Sequence, residues 1–178
     1  MFGYNSSGTI KNIGVIDSYF SGKHYVGGIC GHNYGKIKNS YNTGSVSGEQ
    51  NVGGICGDND NNGTIESSYN IGSVSGASDV GGVCGIKGRK IENSYYLENC
   101  NADGTTFTNS YGTAQTSEQF ASGEVAYRLG GIWGQKIGID KLPVLNSENK
   151  VYQVTAYSSV GNEIISEIYT NKSATVTA

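Results

Sequence analysis

The chain has 178 residues, a formal net charge of −3 and a pI near 5.3, so it carries no excess of basic residues for binding nucleic acid or an anionic lipid surface. Its 28 glycines follow no three-residue period and it has 1 proline, which excludes a collagen-like chain. Its 13 tyrosines and its regularly spaced valines and isoleucines argue against intrinsic disorder.

The first residues match the second half of a repeat that returns later in the chain. Residues 2–12 read Phe-Gly-Tyr-Asn-Ser-Ser-Gly-Thr-Ile-Lys-Asn and therefore begin in the middle of a repeat unit. We expect earlier repeats, and further repeats or domains, in a longer protein. The sequence shows no charged-then-apolar leader and no apolar run of membrane-spanning length, so we expect no membrane insertion.

One phrase occurs three times in the first half of the chain. Residues 26–31 and 52–57 read Val-Gly-Gly-Ile-Cys-Gly, and residues 80–85 read Val-Gly-Gly-Val-Cys-Gly. A Gly-Ser-Val-Ser-Gly phrase precedes the second and third copies, and a phrase ending in Asn/Ser-Ser-Tyr follows all three. The valines that open the copies lie 26 and then 28 residues apart, and a repeat of this length predicts a stacked repeat architecture.

Each repeat holds three short phrases with β-strand character and none of helical length. Val, Ile and Tyr favour strands, while Gly, Asn, Asp and Ser favour the corners between them. We therefore predict an all-β fold, a parallel β-helix-like β-solenoid of about 3–4 coils. Stacking at about 4.8 Å would align equivalent side chains from coil to coil. The predicted columns are Val46 on Val74, Ile29 on Ile55 and Val83, and Ile37 on Ile65 and Ile91.

The spacing of Val52 and Ile55 predicts a bend in the second copy of the phrase. On one uninterrupted strand these residues, three apart, would point to opposite faces. The Gly53-Gly54 pair between them offers a corner that lets both point inward, whereas a flat strand would leave Val52 outside. With the corner, alternation places Cys56 outward unless another element covers that face.

Residues 116–129 are the only helix-like stretch of the sequence, so we predict one short helix there. Thr116 can serve as its N-cap, with Gln119 three positions later. An apolar stripe would pack this helix against its neighbours. The members of that stripe are Phe120, Val125, Ala126 and Leu129.

We predict three segments along the chain. Residues 2–100 form the β-solenoid, and residues 101–157 form a small mixed C-terminal cap, because an open solenoid end would expose strand edges and core. Within the cap, residues 150–157 alternate as a strand does. Residues 158–178 are polar and rich in Ser and Thr, so we interpret them as a linker or the truncated start of a next module.

The phrase Gly-Ile/Val-Cys-Gly at residues 28–31, 54–57 and 82–85 resembles the GLUG motif, with Ile or Val in place of its leucine. The Asn-x-Gly turn and the Asn-Ser-Tyr phrase strengthen the likeness, which covers about residues 2–100. The resemblance implies a repeat of the kind found in streptococcal IgA-cleaving metallopeptidases and many other bacterial surface proteins, beside peptidases and adhesin-like modules. The sequence has no His-Glu-x-x-His zinc motif, so the repeat is not the peptidase itself.

Three of the four cysteines, Cys30, Cys56 and Cys84, occupy equivalent positions in successive repeats. On stacked strands they would form a ladder of small apolar side chains, which is the interpretation we favour. The alternative is a disulfide between two of them, or between Cys84 and Cys100. Zinc is not expected, because the Cys30-x-His32 pair occurs once and the other repeats carry different residues at the histidine position.

Residues 58–64 read Asp-Asn-Asp-Asn-Asn-Gly-Thr and match the opening of a calcium-binding loop. In such a loop Asp58, Asp60 and Asn62 would supply oxygens at alternate positions. The twelfth position is Tyr69 rather than a bidentate glutamate, so the second half of the loop does not match. The alternative, which we favour, is a β-turn rich in Asn and Asp that holds no metal.

Recurring tyrosines predict a ladder along the repeats. Its members are Tyr19, Tyr41, Tyr69 and Tyr95. An exposed ladder would be a platform on which sugars or a protein partner stack. An inward ladder would belong to the core, which we favour. The basic residues Lys87, Arg89 and Lys90 leave a similar choice between contact with an acidic glycan and a solvated turn, and we favour the turn.

A catalytic β-helix would need acid and base groups that converge on one face. Asp17 and Asp79 do not recur at equivalent positions, and Glu66 and Glu92 align with Lys38 as in a surface ladder. We therefore predict no catalytic, cofactor-binding or metal-binding residues. The predicted function is a non-catalytic stalk or adhesion segment of an extracellular bacterial surface or secreted protein, whose partner is a host or neighbouring-cell glycan or protein. The alternatives are a carbohydrate- or protein-binding adhesin module with an exposed face, and a polysaccharide-active β-helix enzyme.

Overall fold

The computed structural model describes residues 1–109, 111–157 and 164–172, which fall into two units. The first unit is Met1–Thr116 and the second is Ser117–Ala178. The predicted end of the solenoid at residue 100 precedes the division between the units. Strand pairing continues past this point because residues 113–115 add one more strand to a sheet of the repeat.

The first unit consists of short strands, two to four residues long, that match the phrases of the repeat. They are β1 (Phe2–Asn5), β2 (Thr9–Lys11), β3 (Gly14–Val15), β4 (Tyr19–Ser21), β5 (His24–Gly27), β6 (Cys30–Asn33), β7 (Lys36–Lys38), β8 (Tyr41–Asn42), β9 (Ser45–Ser47), β10 (Gln50–Gly53), β11 (Cys56–Asn59), β12 (Thr64–Glu66), β13 (Tyr69–Asn70), β14 (Val74–Ser75), β15 (Ser78–Gly81), β16 (Cys84–Lys87), β17 (Lys90–Glu92), β18 (Tyr95–Leu97) and β19 (Thr113–Gln115).

These strands form five parallel sheets, each built from equivalent strands of successive coils. Sheet A has the order β1-β6-β11-β16, and sheet B has the order β2-β7-β12-β17. Sheet C has the order β3-β8-β13-β18-β19, sheet D β4-β9-β14, and sheet E β5-β10-β15. The first unit is therefore a β-solenoid of about 4 turns, which confirms the predicted fold class.

The register of the sheets confirms the predicted columns of apolar side chains. Equivalent residues of adjacent coils are paired across the sheets or joined by backbone hydrogen bonds. The columns are Val46–Val74, Ile37–Ile65–Ile91 and Ile29–Ile55–Val83. Except for the half-buried Ile91, all of these side chains are buried in one continuous core. Each coil thus covers the apolar face that its neighbour cannot bury alone.

The predicted bend at Gly53 and Gly54 is confirmed, since Val52 and Ile55 are both fully buried. The expectation that Cys56 points outward is wrong, because this side chain is 0% exposed and belongs to the core. The chain bends over residues 54–55, between β10 and β11. Alternation along β10 therefore does not carry over into β11, and the first residue of β11 faces inward as well.

Residues with left-handed backbone conformation form corners at equivalent points of successive coils. Asn12, Asn39, Ser67 and Asn93 hold one such corner, and Tyr25, Asn51 and Asp79 hold another. Asn and Asp tolerate this conformation better than other non-glycine residues do, because their short polar side chains can bond to the nearby backbone. The recurrence of these residues in the sequence therefore reports where the chain turns.

The second unit contains two short helices instead of the single predicted one. Helix α1 spans Ser117–Ser122 and helix α2 spans Glu124–Leu129. Gly123 separates them with a φ of 92°, which is outside the range of a right-handed helix. The predicted apolar stripe is buried, at Phe120, Val125, Ala126 and Leu129. None of the helices in the described part of the chain has the length and apolar character needed to cross a bilayer.

A 3-10 helix at Ser147–Asn149 and two antiparallel strands complete the described part of the second unit. Strand β20 spans Tyr152–Tyr157, within the stretch predicted to be a strand, and pairs with strand β21 at Ile164–Thr170. The segment predicted to be a linker or the start of a module thus contributes a strand to this unit. Its residues 158–163 and 173–178 lie outside the described residues.

Candidate functional site

The predicted tyrosine ladder exists, but it lies mostly in the interior. Tyr69 pairs in register with Tyr41 on one side and Tyr95 on the other. The rings of Tyr41 and Tyr69 are stacked, with centroids 5.2 Å apart and an interplanar angle of 10°. Tyr69 and Tyr95 are buried, and burial raises the pKa of Tyr69 far above its ordinary value. The ladder therefore packs the solenoid, as favoured, and is not an exposed platform.

Tyr19 is not a member of this ladder, which corrects the sequence prediction. It pairs with Ser45 in sheet D, and its side chain is 69% exposed. The ladder position of its coil is held by Gly14, which pairs with Tyr41. A Cβ atom on Gly14 would overlap the Tyr41 ring, so the ring covers this glycine. Tyr19 follows a serine, as the ladder tyrosines do, but this local likeness does not place it in their sheet.

An aromatic and acidic group on the outer side of sheet A is the most distinctive surface feature of the first unit. We call it the His32 cluster. Its members are Tyr4, Tyr25, His32, Tyr34, Asp58 and Asp60. Parallel pairing places Tyr4, His32 and Asp58 side by side on β1, β6 and β11. Residues far apart in the sequence thereby share one face.

His32 lies at the centre of three tyrosine rings. Tyr25 stacks on it with ring centroids 5.2 Å apart and an interplanar angle of 11°. Tyr4 meets it edge-on at 5.7 Å, and Tyr34 lies tilted at 4.7 Å. Tyr4 and Tyr34 also contact each other, at 5.5 Å. Offset and edge-on ring pairs of this kind are favourable arrangements of aromatic side chains.

Two carboxylates face the imidazole of His32. Its Nε2 atom lies 3.5 Å from Oδ2 of Asp58 and 3.6 Å from Oδ2 of Asp60. Burial raises the pKa of Asp58 although His32 opposes this shift. Burial also raises the pKa of Tyr34, helped by its hydrogen bond to Asp60. The cluster thus combines aromatic faces with acceptors that are partly withdrawn from solvent.

The geometry of Asp58 and Asp60 bears on the calcium alternative. Both carboxylates approach the same imidazole, while Asn62 is exposed in the following turn. Asn59, between them, points into the interior. Among the described residues, no group of three or more His, Cys, Asp or Glu side chains is placed to hold a metal ion. The oxygens of the acidic turn are therefore directed at a side chain of the neighbouring coil.

Columns of buried asparagines were missed by the sequence analysis. Nδ2 of Asn5 donates to Oδ1 of Asn33 at 2.7 Å, and Nδ2 of Asn33 donates to Oδ1 of Asn59 at 2.8 Å. In sheet C, Nδ2 of Asn42 donates to Oδ1 of Asn70 at 2.9 Å. Such bonds satisfy polar groups that would otherwise be costly to bury. The signal was present, because each asparagine shortly precedes a glycine at an equivalent point of the repeat.

Comparison with known families identifies the repeat. Residues 22–47, which cover one coil from Gly22 to Ser47, match the GLUG motif. This coil is therefore a GLUG repeat. The register extends the matched coil to its neighbours, since His24, Gln50 and Ser78 pair across sheet E. No curated protein and no solved structure matches the chain.

The cysteines of the GLUG phrase stack as a ladder of free thiols. Cys30, Cys56 and Cys84 pair in register, and all four cysteines are free and buried. The hydrogen bond from the Cys56 thiol lowers the pKa of Cys30, whereas burial raises the pKa of Cys56 well above its ordinary value. The favoured ladder is thus present, and the alternative disulfides are not formed in this structure.

Cys100 makes the stability of the GLUG repeats sensitive to alkali. Burial raises the pKa of its thiol from 9.0 to about 12. In the unfolded chain the Cys100 thiol loses its proton at a lower pH than it does when buried. The contribution of Cys100 to the free energy of unfolding is therefore complete below pH 9.0 and is lost as pH rises towards 12, at about 1.4 kcal/mol per pH unit. In Cys100→Ser, the decline in unfolding free energy between about pH 9 and pH 10.5 should be shallower by about 2 kcal/mol. Urea titrations at a series of pH values measure the free energy of unfolding of both chains. An equally steep decline with pH in Cys100→Ser and in the unaltered chain would contradict the prediction.

The charged residues of the GLUG coils are arranged as surface ladders. Lys38, Glu66 and Glu92 are in register in sheet B, and Nζ of Lys38 lies 3.7 Å from Oε2 of Glu66. In the basic cluster, Lys90 pairs with Glu92 at 2.7 Å, which favours the solvated-turn interpretation. Asp79 is at a left-handed corner. Glu66 and Glu92 are therefore each paired with a lysine of the surface.

Proposed function

We propose that the chain is a non-catalytic repeat segment of an extracellular bacterial surface or secreted protein. It spaces the parts of that protein on either side and presents its faces to a host or neighbouring-cell partner. The observation that carries the proposal is the register of the sheets, in which each coil repeats the pairing of the one before it. The resemblance of the repeat to one known from bacterial surface proteins supports the location.

Because equivalent residues pair from coil to coil, the number of coils, and with it the length of the solenoid, can change without a change of fold. Each coil of a solenoid contacts its neighbours only, so stability is approximately a sum over coils and their interfaces. Insertion or loss of one coil leaves every other coil with an equivalent partner. This property suits a spacer, whereas an active site built from two coils would tolerate no such change.

The arrangement of the carboxylates supports a non-catalytic role. A glycosidase places two carboxyl groups on either side of the bond that it cleaves. In the first unit, Asp58 and Asp60 both face the same atom, Nε2 of His32, and Glu66 and Glu92 belong to a surface ladder. Glu66 and Glu92 each pair with a lysine, and Asp58 and Asp60 face His32 of the adjacent coil.

Removal of residues 52–79 tests the spacing role directly. The deletion joins Asn51 to Val80. Asn51 and Asp79 occupy equivalent positions in adjacent coils, so the new junction matches the native one between Asp79 and Val80. We expect a folded chain, shorter by about 4.8 Å along the stack, and a chain lengthened by the same amount when these residues are duplicated. Spin labels at Gly3 and Arg89 measure the change, since a Cβ on Gly3 meets no atom within 4 Å and Arg89 is exposed.

Two outcomes would contradict the proposed function. One is that the deleted or duplicated chain unfolds, or that the distance between the labels stays unchanged. The other is turnover, seen as release of reducing ends or unsaturated products when the chain is incubated with a panel of plant, host and bacterial polysaccharides. The unaltered chain with the same two labels is the control for the distance measurement.

A further inference from the structure

The His32 cluster is confined to one part of the solenoid although the coils around it are equivalent. At the position of Tyr25, the next two coils carry Asn51 and Asp79. At the position of His32, they carry Asp58 and Ile86. The packing of the repeat therefore does not require aromatic side chains here. Because the aromatic residues of the cluster differ from the residues at equivalent positions of the next coils, we attribute to them a role other than packing of the repeat.

The conformation of Tyr25 supports the same conclusion. Its φ of 55° is in the left-handed region, where a bulky residue is an outlier. Asn51 and Asp79 suit this corner, whereas a tyrosine strains it. Strained backbone that is kept in place often belongs to a functional site. Here it holds the ring parallel to the imidazole of His32, with the side chain 46% exposed.

We propose that the His32 cluster binds a neutral saccharide unit. The exposed parts of Tyr4 and Tyr25 provide aromatic faces against which the C–H face of a pyranose ring packs. Carboxylate oxygens of Asp58 and Asp60 accept hydrogen bonds from its hydroxyl groups. A few polar groups beside an apolar surface are the usual composition of a small-ligand site. This role goes beyond spacing and does not depend on it.

Charge selects among the classes of glycan. Two carboxylates lie in the cluster, and both face Nε2 of His32. A sialylated or sulfated glycan would bring a further negative charge next to Asp58 and Asp60, which is unfavourable in a partly desolvated site. A protein partner would need an interface far larger than six side chains. The cluster therefore fits a neutral sugar best.

The chain itself offers a matched variant for the test. Tyr25→Asn introduces the residue that the next coil uses at the same corner, Asn51. It removes the ring and relieves the strained backbone, so the melting temperature should stay the same or rise. Tyr4→Ala removes the second exposed ring, which is 60% exposed. Tyr19→Ala is the control, because Tyr19 is 69% exposed and lies in sheet D rather than among the members of the cluster.

Binding is measured with immobilised neutral glycans that end in galactose, N-acetylgalactosamine, N-acetylglucosamine, glucose or mannose, beside sialylated and sulfated counterparts and extracellular-matrix proteins. We expect the full chain to bind at least one neutral glycan, Tyr25→Asn and Tyr4→Ala to bind it at least tenfold more weakly, and Tyr19→Ala to bind as the unaltered chain does. Isothermal titration with the soluble form of that glycan gives the affinities.

Several results would overturn the saccharide site. They are the absence of binding to all neutral glycans by the folded chain, binding only to acidic glycans or to matrix proteins, and binding that survives both tyrosine substitutions. None of these results bears on the spacing role, which the distance between labels tests. Turnover of a bound glycan would contradict the non-catalytic role but leave the binding site intact.

Discussion

Replacement of Val74 by aspartate is expected to unfold the β-solenoid. Val74 is 0% exposed and lies between Val46 and Asn101 in adjacent coils, so a carboxylate there has no access to water. An unpaired buried charge costs several kcal/mol, a large part of the about 5–15 kcal/mol by which a typical domain is stable. Circular dichroism and urea denaturation of the purified variant measure the loss.

The next residue provides the control for this prediction. Ser75 is half-buried on the opposite side of β14, so Ser75→Asp places the same charge where solvent can reach it. We expect the urea midpoint of this variant to stay close to that of the unaltered chain. A Val74→Asp chain that folds with the same midpoint would show that the side chain is not inside the solenoid.

Gly53→Ala is the second substitution with a large expected effect. A Cβ atom at this position would overlap the Cys56 carbonyl oxygen and would lie 2.7 Å from Cα of Cys84 in the next coil. Both neighbours are backbone atoms, so neither can move aside without displacing a strand. Overpacking of a core costs about 1–3 kcal/mol and occasionally more, and here we expect at least about 3 kcal/mol. Urea denaturation followed by circular dichroism measures it.

Gly3→Ala is the matched control for the crowded glycine. Both glycines are in strands, but a Cβ on Gly3 meets no atom within 4 Å. Alanine there should be neutral or stabilise the chain by about 0.4–1 kcal/mol through the lower entropy of the unfolded state. Equal stability of the two variants would mean that the coils do not approach as closely at Gly53 as the structure has it. The Gly-Gly pair that recurs in each repeat would then need another explanation.

Periodicity explains why the stacking could be predicted from the sequence. When a phrase recurs, equivalent residues must face the same way, so Val46 on Val74 and Ile37 on Ile65 follow without knowledge of the coordinates. The bend between Val52 and Ile55 follows too, because two apolar residues three apart cannot share a face of a straight strand. The asparagine columns could have been predicted by the same argument.

Local pattern failed where the outcome depended on a neighbouring coil or on a single backbone angle. Alternation predicted an outward Cys56, but the bend interrupts alternation and turns it inward. The helix pattern continued through Gly123, whose left-handed conformation divides it. Tyr19 shared the Ser-Tyr phrase but not the register of the ladder.

The sequence by itself determined the fold class, the period and the inward columns, because in a solenoid these depend on the spacing of residues within one repeat. Only the tertiary structure assembled the His32 cluster. Its members come from three successive coils, from Tyr4 in the first to Asp60 in the third. Parallel stacking brings such residues together at about 4.8 Å per coil, so their proximity depends on coil register and is absent from any local pattern.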